Sequence, residues 1–286
     1  MQIVKTVAEL RAWSRAARRE GRSVGLVPTM GALHEGHRSL VRRARKENSA
    51  VAVSIFVNPT QFGPNEDFSR YPRTFSDDCA MLEAEGVEVV FAPEPGEIYR
   101  AGASTFVEVE GLSERLDGGS RPGHFRGVAT VVAKLFIAAE PDRAYFGQKD
   151  AAQVAVLRRM TSDLDLPVEL VVCPIVREPD GLAMSSRNRY LSGEERKQAL
   201  VLRRALEAVE LAFAGGECSA ERLIEYAQAE FAMEPGARVD YIAAVDWATL
   251  LPVETAAPGS LFAVAAYFGS DATKTTRLID NTILTA

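Results

Sequence analysis

The chain is poor in cysteine and histidine, with three of each in 286 residues. Cys79, Cys173 and Cys218 are odd in number and widely spaced. That excludes a disulfide or zinc framework and points to a reducing compartment. No run of 18 apolar residues occurs, so no membrane span is expected. The opening M-Q-I-V-K-T-V-A-E-L-R-A-W alternates apolar and polar residues and lacks the apolar core and cleavage site of a secretion signal. These absences give a cytoplasmic location as the expectation. Positive charge is not in excess either. The net charge is −6, which argues against a general nucleic-acid binder. The nearest basic stripe, Arg38, Arg42, Arg43, Arg45 and Lys46, reads as a solvated helix face. No internal repeat and no low-complexity tract is present.

Short apolar runs alternate with helical patterns through the first 175 residues. Strands are expected at residues 23–27, 51–57, 87–91, 143–146 and 168–172. Helices are expected at 37–48, 75–85, 128–139 and 151–163, with Gly86 ending the second. A further strand around 105–109 would supply an edge. Strand–helix alternation argues for parallel βαβ units, and near-continuous apolar strands suit a sheet buried on both faces. The expected fold class is α/β: a Rossmann-like doubly wound parallel sheet followed by a smaller C-terminal α+β lid domain. The first domain spans residues 1–176 and the second 177–286, with a hinge at 177–188, where Pro179 and Gly181 interrupt any period. Beyond it a long amphipathic helix is expected at 193–214, a second at 219–232, and strands at 239–245, 261–268 and 277–279.

In an open α/β sheet, ligands sit beyond the carboxyl ends of the strands. Four polar, glycine-bearing segments fall there: P-T-M-G-A-L-H-E-G-H, N-P-T-Q-F-G-P-N, F-G-Q-K-D-A-A-Q and V-R-E-P-D-G-L-A-M-S-S-R-N. The first carries two of the three histidines, His34 and His37. A spacing of three brings such side chains near one helix face, which would suit a metal, but zinc would need a third ligand and no H-E-x-x-H occurs. Local capping of a helix start is a second reading. Phosphate chemistry is the third. A helix N-terminus presents unpaired N–H groups and a positive dipole end, imidazole N–H groups can stabilise charge growing on a displaced phosphate, and Gly36 removes side-chain bulk from the approach.

H-x-G-H after a first strand resembles the nucleotidyltransferase superfamily that includes class I aminoacyl-tRNA synthetases, and M-S-S-R-N resembles its second motif. The likeness extends through F-V-N-P-T-Q-F, D-x-x-x-Y-P-R-T, S-R-P-G-H-F-R-G-V, F-G-Q-K-D, D-G-L-A-M-S-S-R-N-R-Y-L and the closing R-L-I-D-N. In this order, over nearly the whole chain, the set is similar to the pantothenate synthetase family. G-Q-K-D stands where that family often has G-E-K-D, with the lysine and aspartate kept.

The resemblance implies an ATP-dependent ligase that condenses (R)-pantoate with β-alanine through a pantoyl adenylate, releasing AMP and pyrophosphate, with Mg²⁺ accompanying ATP and no dedicated protein metal ligand. It implies that His34 and His37 contact the ATP phosphates, His37 at the position assigned as proton donor, and that Lys149 neutralises phosphate charge. Asp150 would accept from the ribose hydroxyls. Met30, Gly31, Gly36, Gly147 and Val176 would supply backbone to the nucleotide site, and Met184, Ser185, Ser186 and Arg187 would form the loop over the outgoing phosphates. Gln61 and Gln153 would hold pantoate, Asn58 would order the adjoining loop or touch substrate, and Arg121 and His124 would close the β-alanine or phosphate side. The family also implies a homodimer formed through the N-terminal domain, with no nucleic-acid or membrane partner. The rivals are an adenylyltransferase of the same superfamily acting on another small carboxylate, an RNA-binding synthetase fragment, and a catalytically dead regulator. The first lacks a reason for S-R-P-G-H-F and N-P-T-Q-F, the second an anticodon domain, and the third any missing motif residue.

Overall fold

Strands apolar on both sides need helices on both sides, and the computed structural model has them. It describes residues 1–64, 66–269 and 275–285; Asn65, the last residue of N-P-T-Q-F-G-P-N, lies outside the described residues. In chain order the elements are β1 Gln2–Val4, α1 Val7–Arg19, β2 Val24–Thr29, α2 Glu35–Glu47, β3 Ala50–Ile55, α3 Phe75–Ala84, β4 Val89–Phe91, α4 Pro95–Ile98, α5 Asp117–Ser120, α6 His124–Ala139, β5 Arg143–Gly147, α7 Ala151–Asp163 and β6 Glu169–Cys173. Then follow α8 Gly193–Ala199, α9 Val201–Ala214, α10 Ala220–Ala232, β7 Ala237–Val245, β8 Leu261–Phe268 and β9 Thr276–Ile283. The residues group into two compact units, 1–114 with 121–147 and 156–174, and 115–120 with 148–155 and 175–286.

The first unit holds a six-stranded sheet in the order β1-β4-β3-β2-β5-β6, parallel throughout. It is the Rossmann-like arrangement expected. Alternate residues of one strand serve opposite faces. Val27, Val51, Val53 and Val90 pack with Leu40, Val41 and Ala44 of α2 and Leu82 of α3. Val24 and Ala50 meet Trp13 and Ala17 of α1. From β2 the chain passes to β3 on one side, and β5 lies on the other, so the strand order reverses beside β2. That is where a doubly wound sheet opens a crevice at the strands' carboxyl ends.

The second unit contains an antiparallel sheet, β7-β8-β9. Its core joins Leu202, Leu206 and Val209 of α9 and Leu223 of α10 to Phe262, Val264 and Phe268 of β8.

The alternating N-terminus, for which no element is expected from the sequence, forms β1 and then α1, started by a capping box between Thr6 and Glu9. Two expectations need correction. The expected long helix at 193–214 is two helices that meet at Leu200. The segment 105–109 is no strand; the Val107 N–H donates to Thr130 Oγ1 on α6 at 2.9 Å instead of joining a ladder. The basic stripe of α2 is exposed or half-buried and paired with acids, Arg38 and Arg42 with Glu85 at 2.6 and 2.9 Å and Arg43 with Glu47. Among the described residues no helix is long and apolar enough to cross a membrane.

Candidate active site

In the first unit the chain leaves β2 through a turn that only a clamp can hold. Gly31 and Ala32 both have left-handed backbones, φ 80° and 51°. For Ala32 that conformation costs about 1–2 kcal/mol. Asp78 of α3, 2% exposed, takes the Ala32 N–H on Oδ2 at 2.9 Å and the Leu33 N–H on Oδ1 at 2.8 Å. Gly31 is required twice over. Its φ favours glycine, and a Cβ would stand 3.0 Å from Asp78 Oδ2 and 3.1 Å from Ile55 Cγ2.

The clamp delivers His34 to the start of α2. His34 is the N-cap, and its Nδ1 accepts from the Gly36 N–H at 3.2 Å. His37, one turn later, turns its Nδ1 toward the His34 N–H at 3.4 Å, and the two ring centroids lie 4.1 Å apart. Accepting at Nδ1 places the proton of each neutral imidazole on Nε2. So the capping reading holds in its geometry, and it is compatible with phosphate chemistry, because it orients both rings at a helix N-terminus. Met30, Gly36 and Gly147 are half-buried and Gly31 is buried. Among the described residues no group of three His, Cys, Asp or Glu side chains gathers for a metal ion.

Beyond β3, Asn58 is 1% exposed and fully engaged. Its Oδ1 accepts from Thr60 N, Thr60 Oγ1 and Tyr99 OH at 3.3, 2.9 and 2.7 Å. Its Nδ2 donates to Gly127 O and Gln61 Oε1, both at 3.1 Å. Backbone N–H on one side and backbone carbonyl on the other fix the amide's orientation. Burial pushes the Tyr99 hydroxyl above its ordinary value, so it stays a donor. Gln61 is thereby fixed too, with its Nε2 turned to the thioether of Met30 at 3.1 Å.

Arg121 and His124 serve the same segment. Arg121 forms a two-pronged pair with Glu66 at 2.7 and 2.6 Å, and its Nη1 lies 3.0 Å from His124 Nε2. The Nδ1 of His124 lies 2.8 Å from Gln61 O. Arginine only donates and a carbonyl only accepts, so neutral His124 carries its proton on Nδ1 and bridges the two.

Glu66, Tyr99, Asp78 and Gly127 were not singled out from the sequence. Gly127 lies within S-R-P-G-H-F-R-G-V; the other three carry no local signal. A Cβ on Gly127 would stand 2.4 Å from Thr60 O and 2.7 Å from Gln61 N. Backbone cannot yield as a side-chain tip can. Gly127→Ala is therefore expected to lose about 1–3 kcal/mol of stability, seen as a lower melting temperature; an unchanged one would contradict the packing.

The Arg121–Glu66 pair predicts a pH effect. Burial raises the Glu66 carboxyl, but the hydrogen bonds and charge of Arg121 outweigh it and hold the group below its ordinary 4.5. A depressed folded value contributes stability that is full above the unfolded value and is lost as pH falls through the folded one. The melting-temperature gap between wild type and Glu66→Gln should stay constant from pH 7 to about pH 5 and narrow below. A gap that widens with acid would reverse the sign.

In the second unit, the 3₁₀ turn Gln148–Asp150 leads into α7. Lys149 is half-buried and Asp150 exposed, their charged atoms 4.0 Å apart; Gln153 is half-buried on α7. The segment expected as a hinge is well bonded: the Met184 N–H donates to Val176 O at 2.9 Å, and Arg177 bridges Ala183. Ser185 caps the 3₁₀ turn Ser186–Tyr190 by accepting from the Arg187 N–H at 3.2 Å. Ser186 is buried and Arg187 half-buried.

The local geometry within each unit does not by itself name a reaction; comparison with known proteins narrows it. The sequence model described as Pantoate-beta-alanine ligase matches residues 2–283. The chain belongs to the pantoate–beta-alanine ligase family. A pantothenate synthetase of Acidobacterium capsulatum is 62% identical, with 99% of this chain and 97% of that one covered. Among solved structures of this ligase family, a pantothenate synthetase from Thermus thermophilus is 50% identical and superposes with a TM-score of 0.93 over all of both chains. A pantoate-beta-alanine ligase from Francisella tularensis, solved in complex with beta-gamma ATP and beta-alanine, is 33% identical with a TM-score of 0.80, covering 99% of this chain and 97% of its own.

Proposed function

We propose that this chain joins (R)-pantoate to β-alanine at the expense of ATP, through a pantoyl adenylate. The single observation that carries the reading is the family match over residues 2–283. The chemistry is balanced in two steps. A pantoate carboxylate oxygen bonds to the α-phosphorus, and the bond to the bridging oxygen of pyrophosphate breaks. The neutral β-alanine amine then bonds to the acyl carbon, AMP leaves with the former carboxylate oxygen, and the amine loses a proton. A carboxylate is a poor acyl donor; the mixed anhydride has a good leaving group.

His34 and His37 act as donors to the α-phosphate region, where charge grows in the first step. Lys149 neutralises phosphate, Asp150 accepts from ribose, and Ser185, Ser186 and Arg187, with Met184, bind the outgoing phosphates. Met30, Gly31, Gly36, Gly147 and Val176 offer backbone to the nucleotide. Gln61 and Gln153 hold pantoate. For Gln61 a physical argument supports this: a thioether is a weak acceptor, so exchanging Met30 Sδ for a substrate oxygen costs its Nε2 little. Asn58, Arg121 and His124 keep the Gln61 segment in register, since their own hydrogen bonds serve that end. Mg²⁺ accompanies ATP and would be held through phosphate oxygens and water; we assign it no protein ligand. Residues 177–286 serve as the lid that excludes water from the adenylate. The enzyme works in the cytoplasm as a homodimer.

The test is product formation. With ATP, Mg²⁺, (R)-pantoate and β-alanine, the protein should yield pantothenate, AMP and pyrophosphate in equal amounts. ADP in place of AMP, or amide formation with other acids but not pantoate, would sink the assignment.

A further inference from the structure

The closing motif R-L-I-D-N has no part in the chemistry above, yet two of its polar side chains are buried. Asp280 and Asn281 are 2% and 3% exposed. They are adjacent on β9, so their side chains leave opposite faces of the strand.

Asn281 reaches the turn that carries Lys149. Its Nδ2 donates to Gln148 O at 3.0 Å and to Lys149 O at 2.9 Å, and its Oδ1 accepts from Gln148 Nε2 at 3.2 Å. One side chain thus satisfies two consecutive carbonyls of a three-residue turn, and the turn's own side chain returns the bond. Asp280 takes Arg177 in a two-pronged pair at 2.6 and 3.1 Å and accepts from the Asn281 N–H at 2.8 Å. Arg177 also donates to Gly181 O at 3.1 Å, inside the segment that leads to Ser185. Strand β9 therefore fastens one loop on each side.

We propose that Asn281 is a positioning residue that sets Lys149 for the nucleotide phosphates by holding the Gln148–Asp150 turn. The proposal rests on the reading of Lys149 given above. A shift of about 1 Å in a charge-stabilising group costs up to about 10²-fold in rate. Asn281→Ala removes both donors. Asn281→Asp keeps the shape but sets an acceptor against two carbonyls, so it should be no better than alanine.

The test joins hydrogen–deuterium exchange with a double-mutant cycle. Wild-type protein is first shown to catalyse pantoate-dependent ATP–pyrophosphate exchange; if it does not, the reading of the site fails and takes the proposal with it. In a wild type that does, Asn281→Ala should raise deuterium uptake over residues 148–150 and leave residues 34–37 unchanged. It should lower pantoate-dependent exchange by about 10- to 100-fold. On a Lys149→Ala background the same change should cost less than about twofold, because the residue it positions is already gone. Unchanged uptake at 148–150, or an equal loss on both backgrounds, overturns the proposal while leaving the site's assignment intact. A purely structural role for Asn281 would raise uptake across the unit and add to the Lys149 effect.

Discussion

His37→Ala is expected to lower pantoate-dependent ATP–pyrophosphate exchange by about 10²–10³-fold, the usual cost of one preorganised donor at a developing charge. His34→Ala does the same, but it also removes a helix cap. The two roles separate with His34→Asn. Asparagine is among the best N-cap residues, so it replaces the acceptor that serves the Gly36 N–H and restores stability. It cannot supply an imidazole Nε2 donor. The asparagine variant should therefore melt close to wild type and remain as inactive as the alanine variant. Recovery of exchange along with stability would mean that capping is the histidine's whole contribution.

Asp78→Ala should be the most damaging change outside the proposed substrate contacts. It leaves the buried N–H groups of Ala32 and Leu33 without their acceptors, at about 1–3 kcal/mol each, and Thr74 Oγ1 loses a 3.1 Å partner. A total of about 3 kcal/mol is expected from those two donors. The consequence for function follows from Ala32, whose left-handed φ of 51° persists only while the clamp holds it. Released, the turn relaxes and moves His34, and exchange should fall by about 10²-fold even below the melting transition. Asp78→Asn keeps one acceptor and should lie between. A folded Asp78→Ala protein with wild-type exchange would show that the turn needs no clamp.

The sheet was legible where burial on two faces left uniformly apolar runs, as in β2, β3 and β5. The N-terminal segment was not, because its period of two masks the T-V-A-E capping box that starts α1. Residues 105–109 look like a strand, but their hydrogen bonding is settled by a side chain of α6. The break at Leu200 carries no glycine or proline to mark it. Among the residues proposed for the chemistry, motif spacing singled out the two histidines, the lysine turn and the serine loop. The groups that hold them were hidden, because each works at long range. Asp78 acts on Leu33 across 45 residues and Asn281 on Lys149 across 132. A buried carboxylate or amide on a helix or strand reads as an ordinary solvated side chain until the chain is folded.

The adenylate is the centre of the account, and isotope transfer tests it directly. Pantoate labelled with ¹⁸O in both carboxylate oxygens is turned over with ATP, Mg²⁺ and β-alanine, and the products are weighed. Attack on the α-phosphorus predicts one ¹⁸O in AMP and one retained in the amide carbonyl. Unlabelled ADP in place of AMP, with the ¹⁸O found in inorganic phosphate, would place the attack at the γ-phosphorus and contradict the mechanism.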